Sequence, residues 1–119
     1  MDARFDDDAL RQVLLNLLDN AVKYGPQGQT VNVRVSQQGG LARVEIIDQG
    51  PGIPRAERDR VWDAFYRPAR ERTTAISGAG IGLAVVRDLM HAMGGRCWFE
   101  DAAAGAHVVI ELPAENDDG

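Results

Sequence analysis

An α/β domain with helices on one face of a mixed sheet is predicted by three features of this 119-residue sequence. Residues 7–24 carry the apolar stripe of an amphipathic helix, residues 30–48 read as a β-hairpin, and further helical and strand patterns are interspersed behind it. A hairpin in the middle of the chain argues against a purely parallel, doubly wound sheet.

Each element follows from its local pattern. In the first helix Leu10, Val13, Leu14, Leu17, Leu18, Ala21 and Val22 repeat at three- and four-residue intervals. The run Asp6-Asp7-Asp8 supplies an N-cap and suits the positive end of the helix dipole, and Gly25-Pro26 stops the helix. Two β-branched segments, 30–36 and 41–48, are separated by Gln37-Gln38-Gly39-Gly40, a turn sequence. Behind Pro54 a short helix is predicted over roughly 55–62. Residues 65–80 have no usable period and read as a polar, mobile loop. A third helix fits 81–93, with Leu83, Val86, Leu89, Met90 and Met93 on one side and Gly94-Gly95 as its stop. Strands are predicted over 96–100 and 107–112, joined by a turn of small residues over 102–106. No repeat or linker divides the chain, so one domain over 1–113 and a disordered acidic tail over 114–119 are expected.

Composition bounds the function. Hydrophobic residues make up 45% and charged residues 26%, the profile of an ordinary soluble domain. Cys97 is the only cysteine, which excludes an internal disulfide framework and a cysteine-rich zinc site. There is no secretory h-region and no run of about 18 apolar residues. The expectation is a cytoplasmic location with no membrane insertion by this segment. Net charge is −5, yet between residues 9 and 114 there are 12 basic against 11 acidic residues. The acidity belongs to the two ends; a nucleic-acid surface is not expected, while a small anion is compatible with the body. Twelve of the 13 basic residues are arginine, and Lys23 is the single lysine.

Three groups of residues could carry chemistry. At about 100° per residue, Asn16, Asn20 and Lys23 cluster beside the apolar stripe of the first helix, with Tyr24 on its border. Amide oxygens are hard neutral ligands suited to Mg²⁺, and an ammonium suits phosphate; a solvated helix face is the competing reading. Strand alternation puts Val44, Ile46 and Asp48 on one face, so a carboxylate ends an apolar row. Being an acceptor only, it could take the exocyclic amine of adenine, or it could simply open an Asx turn ahead of Gly50-Pro51-Gly52. Gly78, Gly80 and Gly82 alternate just before a helix, where backbone amides and the helix dipole favour an anion. No Gly-Lys-Ser/Thr follows, so this is not a Walker A loop. His91 and His107 have no second ligand at metal spacing, and no serine sits in a Gly-x-Ser-x-Gly context.

In order along the chain stand Asn16-Leu17-Leu18-Asp19-Asn20-Ala21-Val22-Lys23-Tyr24, Asp48-Gln49-Gly50-Pro51-Gly52, Trp62-Asp63-Ala64-Phe65-Tyr66-Arg67 and Gly78-Ala79-Gly80-Ile81-Gly82-Leu83. This set resembles the N, G1, F and G2 boxes of the catalytic ATP-binding domain of bacterial sensor histidine kinases. The resemblance runs from about residue 2 to 113. It implies the Bergerat fold, a two-layer α/β sandwich of about three helices on one face of a mixed, mostly antiparallel five-stranded sheet. ATP and Mg²⁺ are the implied ligands, with Asn20 on the metal, Asn16 on the same polar face, Lys23 on the phosphates and Tyr24 near the nucleotide. Asp48 would accept from the adenine amine, Gly50 and Gly52 would let the backbone approach the base, and Gly78, Gly80, Ile81, Gly82 and Leu83 would form the phosphate-side loop and helix start. Residues 53–77, beginning at Ile53, would be the ATP lid, with Phe65 its anchor and Arg67 a phosphate contact.

The implied reaction is transfer of the γ-phosphoryl group to a histidine. In the hydrolysing relatives a glutamate stands where this sequence has Asn16, which takes no proton at neutral pH, so slow hydrolysis is expected. Neither histidine here has a phosphoacceptor context, and no dimerising hairpin is present. The acceptor is therefore expected on the dimerisation and histidine-phosphotransfer domain of a longer kinase, of which this is the C-terminal piece, with a response regulator as indirect partner. A parent anchored in the inner membrane is compatible with that reading. Two departures stand out: Val109 where a threonine often faces adenine, and Gly25 where Ser or Thr is common, which predicts a looser helix end. The competing readings are a stand-alone anti-sigma-type serine kinase, which usually keeps the glutamate, and a non-catalytic nucleotide-binding module of the same fold.

Overall fold

The computed structural model describes residues 2–3, 7–63, 82–101 and 105–115, with Asp2, Ala3, Tyr24, Ala114 and Glu115 described by their backbone alone. Helix α1 (Asp7–Tyr24) begins with Asp7 and Asp8 in its first turn and carries Lys23 in its last, both favourable to the helix dipole. Val13, Leu17 and Ala21, four residues apart, are its buried line. Leu18 and Val22, expected in the same stripe, are 36% and 70% exposed. The buried seam is narrower than the sequence pattern because each lies about 100° round the helix from that line.

The strands are β1 (Asp2–Ala3), β2 (Asn32–Gln38), β3 (Leu41–Ile47), β4 (Arg96–Glu100) and β5 (His107–Glu115). β5 is central: β3 pairs with one edge, β1 and β4 share the other, and β2 lies outside β3. All pairings among the described residues are antiparallel, so the expected mixed character is absent there. The reason is topological. β3 and β4 run parallel to each other, as expected across a helical connection, but β5 lies between them. β5 also runs to Glu115, into the stretch expected to be a disordered tail, because Ala114 and Glu115 pair with Ala3 and Asp2. β2 is exposed throughout, Val33 and Val35 included.

In place of the short helix predicted over 55–62 the chain makes two 3-10 turns, Arg55–Glu57 and Arg60–Trp62. Their amides bond three residues back, Glu57 to Pro54 and Asp63 to Arg60, so no α-helical ladder starts. Helix α2 (Gly82–Ala92) ends in a Schellman motif: Gly94, at φ 75°, donates to the His91 carbonyl and Gly95 donates to that of Met90.

Val13 and Leu17 of α1, Val86 and Met90 of α2, Val61 and Trp62 of the second 3-10 turn, and Ile46, Val108, Ile110 and Leu112 of the sheet form one core. Both helices therefore cover the same sheet face. On the opposite face Glu111 is only 3% exposed and receives Arg43 and Arg96, whose guanidinium groups also lie 5.5 and 5.2 Å from the Trp98 ring centre. These contacts hold the Glu111 carboxyl below its ordinary range, Arg96 most strongly, against the upward push of burial. Val109 alternates with the core residues Val108 and Ile110, which puts it on this outer face, away from the helix-facing side that Val44 and Ile46 line. The sequence expectation that Val109 stands in for an adenine-facing threonine is thereby corrected.

Candidate functional site

Asp48 follows β3 directly, and its backbone N–H donates to the Ala106 carbonyl at 3.0 Å. Its Oδ1 accepts from the N–H of Gly50 and of Ala106, each at 2.9 Å. The Asx turn read from the sequence is thus present, with a second backbone donor from the start of the neighbouring strand. Among the described residues Oδ2 has no partner, so within them the carboxylate is fixed through one oxygen alone.

Two glycines make this approach possible. Gly105, at φ 77°, packs so closely that a Cβ there would run into the Asp48 carbonyl oxygen and stand 3.0 Å from Oδ1. Gly52, at φ 76°, would bring a Cβ to 2.7 Å from the Gly105 carbonyl oxygen. The sequence reading gave Gly52 the task of letting the backbone reach a base; its immediate neighbour is the β4–β5 turn. Gly105 was visible only as part of a small-residue turn.

On the other side of the site, Asn16 and Asn20 are half-buried and lie against the start of α2. Asn16 Nδ2 donates to the Gly82 carbonyl at 3.3 Å, and its Oδ1 accepts from Gln12 at 2.8 Å. Asn20 Oδ1 lies 4.0 Å from where a Cβ of Gly82 would stand. Lys23 does not join them by contact: its ammonium is 3.8 Å from Asp19. Leu83 packs against the core.

A pair of glutamines ties the two sides. Gln29 Nε2 donates to the Ala21 carbonyl at 2.6 Å, its Oε1 accepts from the Gln49 N–H at 2.9 Å, and Gln49 Oε1 accepts from the Thr30 N–H at 2.9 Å. A side chain at Gly25 would collide with Gln29. Gly25 therefore makes room for a tie on the last turn of α1, a contact that the expectation of a looser helix end does not include. Neither glutamine was singled out from the sequence, since their partners lie up to 20 residues away.

Residues 53–63, expected as the first part of a lid, belong to the body of the domain. Ile53 packs on the core, and Trp62 is buried with its ring 5.0 Å from that of Phe99. Arg58 and Arg55 both bind Asp101, holding its carboxyl below the ordinary range, and Arg87 binds Asp63 at 3.0 Å. Cys97 is half-buried and desolvation pushes its thiol up to about 11, far from a reactive thiolate at neutral pH. Phe65, Arg67, Gly78, Gly80, Ile81 and the Tyr24 side chain lie outside the described residues. Among the described residues no helix is long and apolar enough to cross a membrane, and no three His, Cys, Asp or Glu side chains gather as a metal cage.

A family model described as histidine kinase-, DNA gyrase B-, and HSP90-like ATPase matches residues 5–116. Sensor histidine kinase WalK of Bacillus subtilis (strain 168) is 34% identical over 115 residues, which cover 94% of this chain and 19% of WalK. The chain thus spans about a fifth of that curated relative's length. Among solved structures, the mycobacterial sensor histidine kinase MprB superposes with a TM-score of 0.82 at 39% identity, covering 92% of this chain and 73% of that one. Full-length ShkA in complex with AMPPNP superposes with a TM-score of 0.77 at 33% identity, covering 92% of this chain and 23% of ShkA. With nearly its whole length matched and the architecture shared, the chain belongs to the histidine kinase-, DNA gyrase B- and HSP90-like ATPase family, in its sensor histidine kinase branch.

Proposed function

We propose that this domain binds Mg²⁺-ATP and donates the γ-phosphoryl group to a phosphoacceptor histidine on a separate dimerisation domain of the same kinase, from which a response regulator receives it. The observation that carries the reading is Asp48, an acceptor whose Oδ1 is held by two backbone N–H groups and whose Oδ2 has no partner among the described residues. A donor of the adenine-amine type complements it, whereas a carbonyl at that position would face acceptor against acceptor. ShkA, a relative of the same fold, is described with the ATP analogue AMPPNP bound.

Asn20 and Asn16 supply neutral oxygens beside the N-terminus of α2, whose dipole favours anions. Such a sparse donor set fits Mg²⁺ brought with a nucleotide, since that ion commonly keeps water and phosphate oxygens beside one or two protein ligands. Bound there, the ion would neutralise phosphate charge. Lys23 would add a point charge at the phosphates after leaving Asp19, an exposed pairing that costs little to break.

The acceptor imidazole attacks the γ-phosphorus through a nitrogen lone pair, the bond to the bridging oxygen breaks, and ADP departs with that oxygen. A neutral imidazole nitrogen needs no base to become a nucleophile, in contrast to water. Asn16 at the position of the hydrolytic glutamate is consistent with positioning and electrostatic stabilisation in place of base catalysis. The domain alone is not expected to phosphorylate itself. Incubating it with labelled ATP and a separately supplied helical hairpin bearing a phosphoacceptor histidine is expected to give acid-labile label on that histidine. Label on serine, or none on the hairpin, would overturn the reading.

A further inference from the structure

Gly105 stands outside every sequence motif singled out above, yet it packs directly against the backbone and side chain of Asp48. We propose that Gly105 is a positioning residue for base selectivity: its bare α-carbon lets the β4–β5 turn lie against Asp48 so closely that the Ala106 N–H fixes Oδ1 and leaves Oδ2 for the exocyclic amine of the ligand. The inference rests on the adenine-binding role proposed for Asp48 and adds to it the device that aims the carboxylate.

The geometry leaves no slack. A Cβ at position 105 would overlap the Asp48 carbonyl oxygen and press on Oδ1, which already takes the Ala106 N–H at 2.9 Å. With φ at 77°, an L side chain there is strained as well. Gly52 closes the stack from the other side, 2.7 Å separating its would-be Cβ from the Gly105 carbonyl oxygen. Moving Gly105 and Ala106 away would remove one of the two N–H donors on Oδ1 and leave only that of Gly50, so the carboxylate would be aimed less tightly. An acceptor discriminates between ligands only when it is held where the donor must come, because a ligand lacking that donor then leaves it unpaired. Asn16, Asn20 and Lys23 stand on α1, with no hydrogen bond or ion pair to Gly105 or Ala106 among the described residues, so binding to the triphosphate is expected to survive displacement of those two residues.

The test is calorimetric titration with ATP and with purine riboside 5′-triphosphate, which lacks the 6-amino group, on the parent chain and on Gly105→Ala, Gly52→Ala and Asp48→Asn. The parent is expected to prefer ATP by about tenfold or more, the size of one hydrogen bond to a charged group. Gly105→Ala is expected to bring the preference close to unity while analogue affinity stays within about twofold. Gly52→Ala is expected to lower the preference by a smaller factor, since its contact is longer. If Asp48→Asn keeps the parental preference, or the parent has none, the adenine reading fails and the inference with it. If Asp48→Asn loses the preference and both glycine variants retain it, the inference alone is overturned. Equal weakening toward both nucleotides, or failure of both glycine variants to fold, would make these glycines purely architectural and also overturn it.

Discussion

The two walls of the candidate site are aimed by different means. Asp48 is held by backbone: its own N–H and its Oδ1 engage Ala106 and Gly50 at 2.9–3.0 Å, and Gly105 and Gly52 fill the space behind. The opposite wall consists of side chains on one face of α1, where Asn16 touches α2 through a single 3.3 Å bond and Lys23 rests against exposed Asp19. A carboxylate oxygen held by the amides of Gly50 in the loop and Ala106 beside β5 turns only when those backbone segments move. Asparagine and lysine on a helix follow their rotamers and can adjust to a ligand. The Asp48 side, the proposed base wall, is therefore preorganised, and the α1 side, the proposed metal and phosphate wall, is left to be completed by what binds there.

Removing shared support should loosen the helical wall first. Met90 is fully buried between α2 and the sheet, and Met90→Ala is expected to cost about 2–5 kcal/mol in urea unfolding. Hydrogen exchange should then rise in α1 and α2 before it rises at the amides of Asp48 and Ala106. Equal loosening of both would break the distinction between the walls. Next in size, Asp48→Asn is expected to weaken ATP binding by roughly 1–3 kcal/mol, because the amide can present a donor to a donor. Unchanged affinity in calorimetric titration would remove Asp48 from the base wall altogether.

The contrast between the walls is also one of legibility. Asn16, Asn20 and Lys23 could be read from a single helix, because a 3.6-residue period places them together with no knowledge of the tertiary structure. Asp48 could be read as the end of an apolar strand face, but its partners could not: Ala106 lies 58 residues away and contributes a backbone N–H, which carries no side-chain identity for a sequence to display. The helices α1 and α2, the hairpin and β4 were legible from period and turn residues. β1 was not, because two residues have no period, and its pairing with Ala114 and Glu115 is what extends β5 beyond the predicted end. The insertion of β5 between β3 and β4 was equally hidden, since local pattern sets strand existence and long-range pairing sets strand order.

Glu111 offers a control on β5 itself, on the sheet face away from both helices. Its folded pKa lies below the ordinary 4.5, chiefly through Arg96 and then Arg43. A carboxyl depressed in the folded state contributes stability that is fully present above its unfolded pKa and is lost as pH falls through the folded value. Glu111→Gln is expected to cost about 1–2 kcal/mol at neutral pH, a modest sum because the Arg43 and Arg96 side chains are 42% and 70% exposed. Urea midpoints of parent and variant should converge as pH drops below 4.5. A gap that persists there would assign the loss to packing. Asn20→Ala, on the adjustable wall, should leave folding nearly unchanged and make nucleotide affinity the same with and without Mg²⁺; a parental Mg²⁺ increment would count against its metal role.

The smallest effect concerns the tie between the walls. Gln29 links the Ala21 carbonyl, in the last turn of α1, to the Gln49 amide next to Asp48. These bonds are partly solvent-exposed, so Gln29→Ala is expected to destabilise by only about 0.5–1.5 kcal/mol. Its consequence should be seen in coupling. With the tie intact, the Mg²⁺-dependent binding proposed for Asn20 and the base selectivity proposed for Asp48 would act on elements held in a fixed relation. With it cut, the two contributions should become additive in a double-mutant cycle of Asn20→Ala with Asp48→Asn, measured by nucleotide affinity in the parent and Gln29→Ala backgrounds. Coupling of the same size in both backgrounds would mean that the walls communicate through the sheet and core, and that the glutamine pair only closes the loop between them.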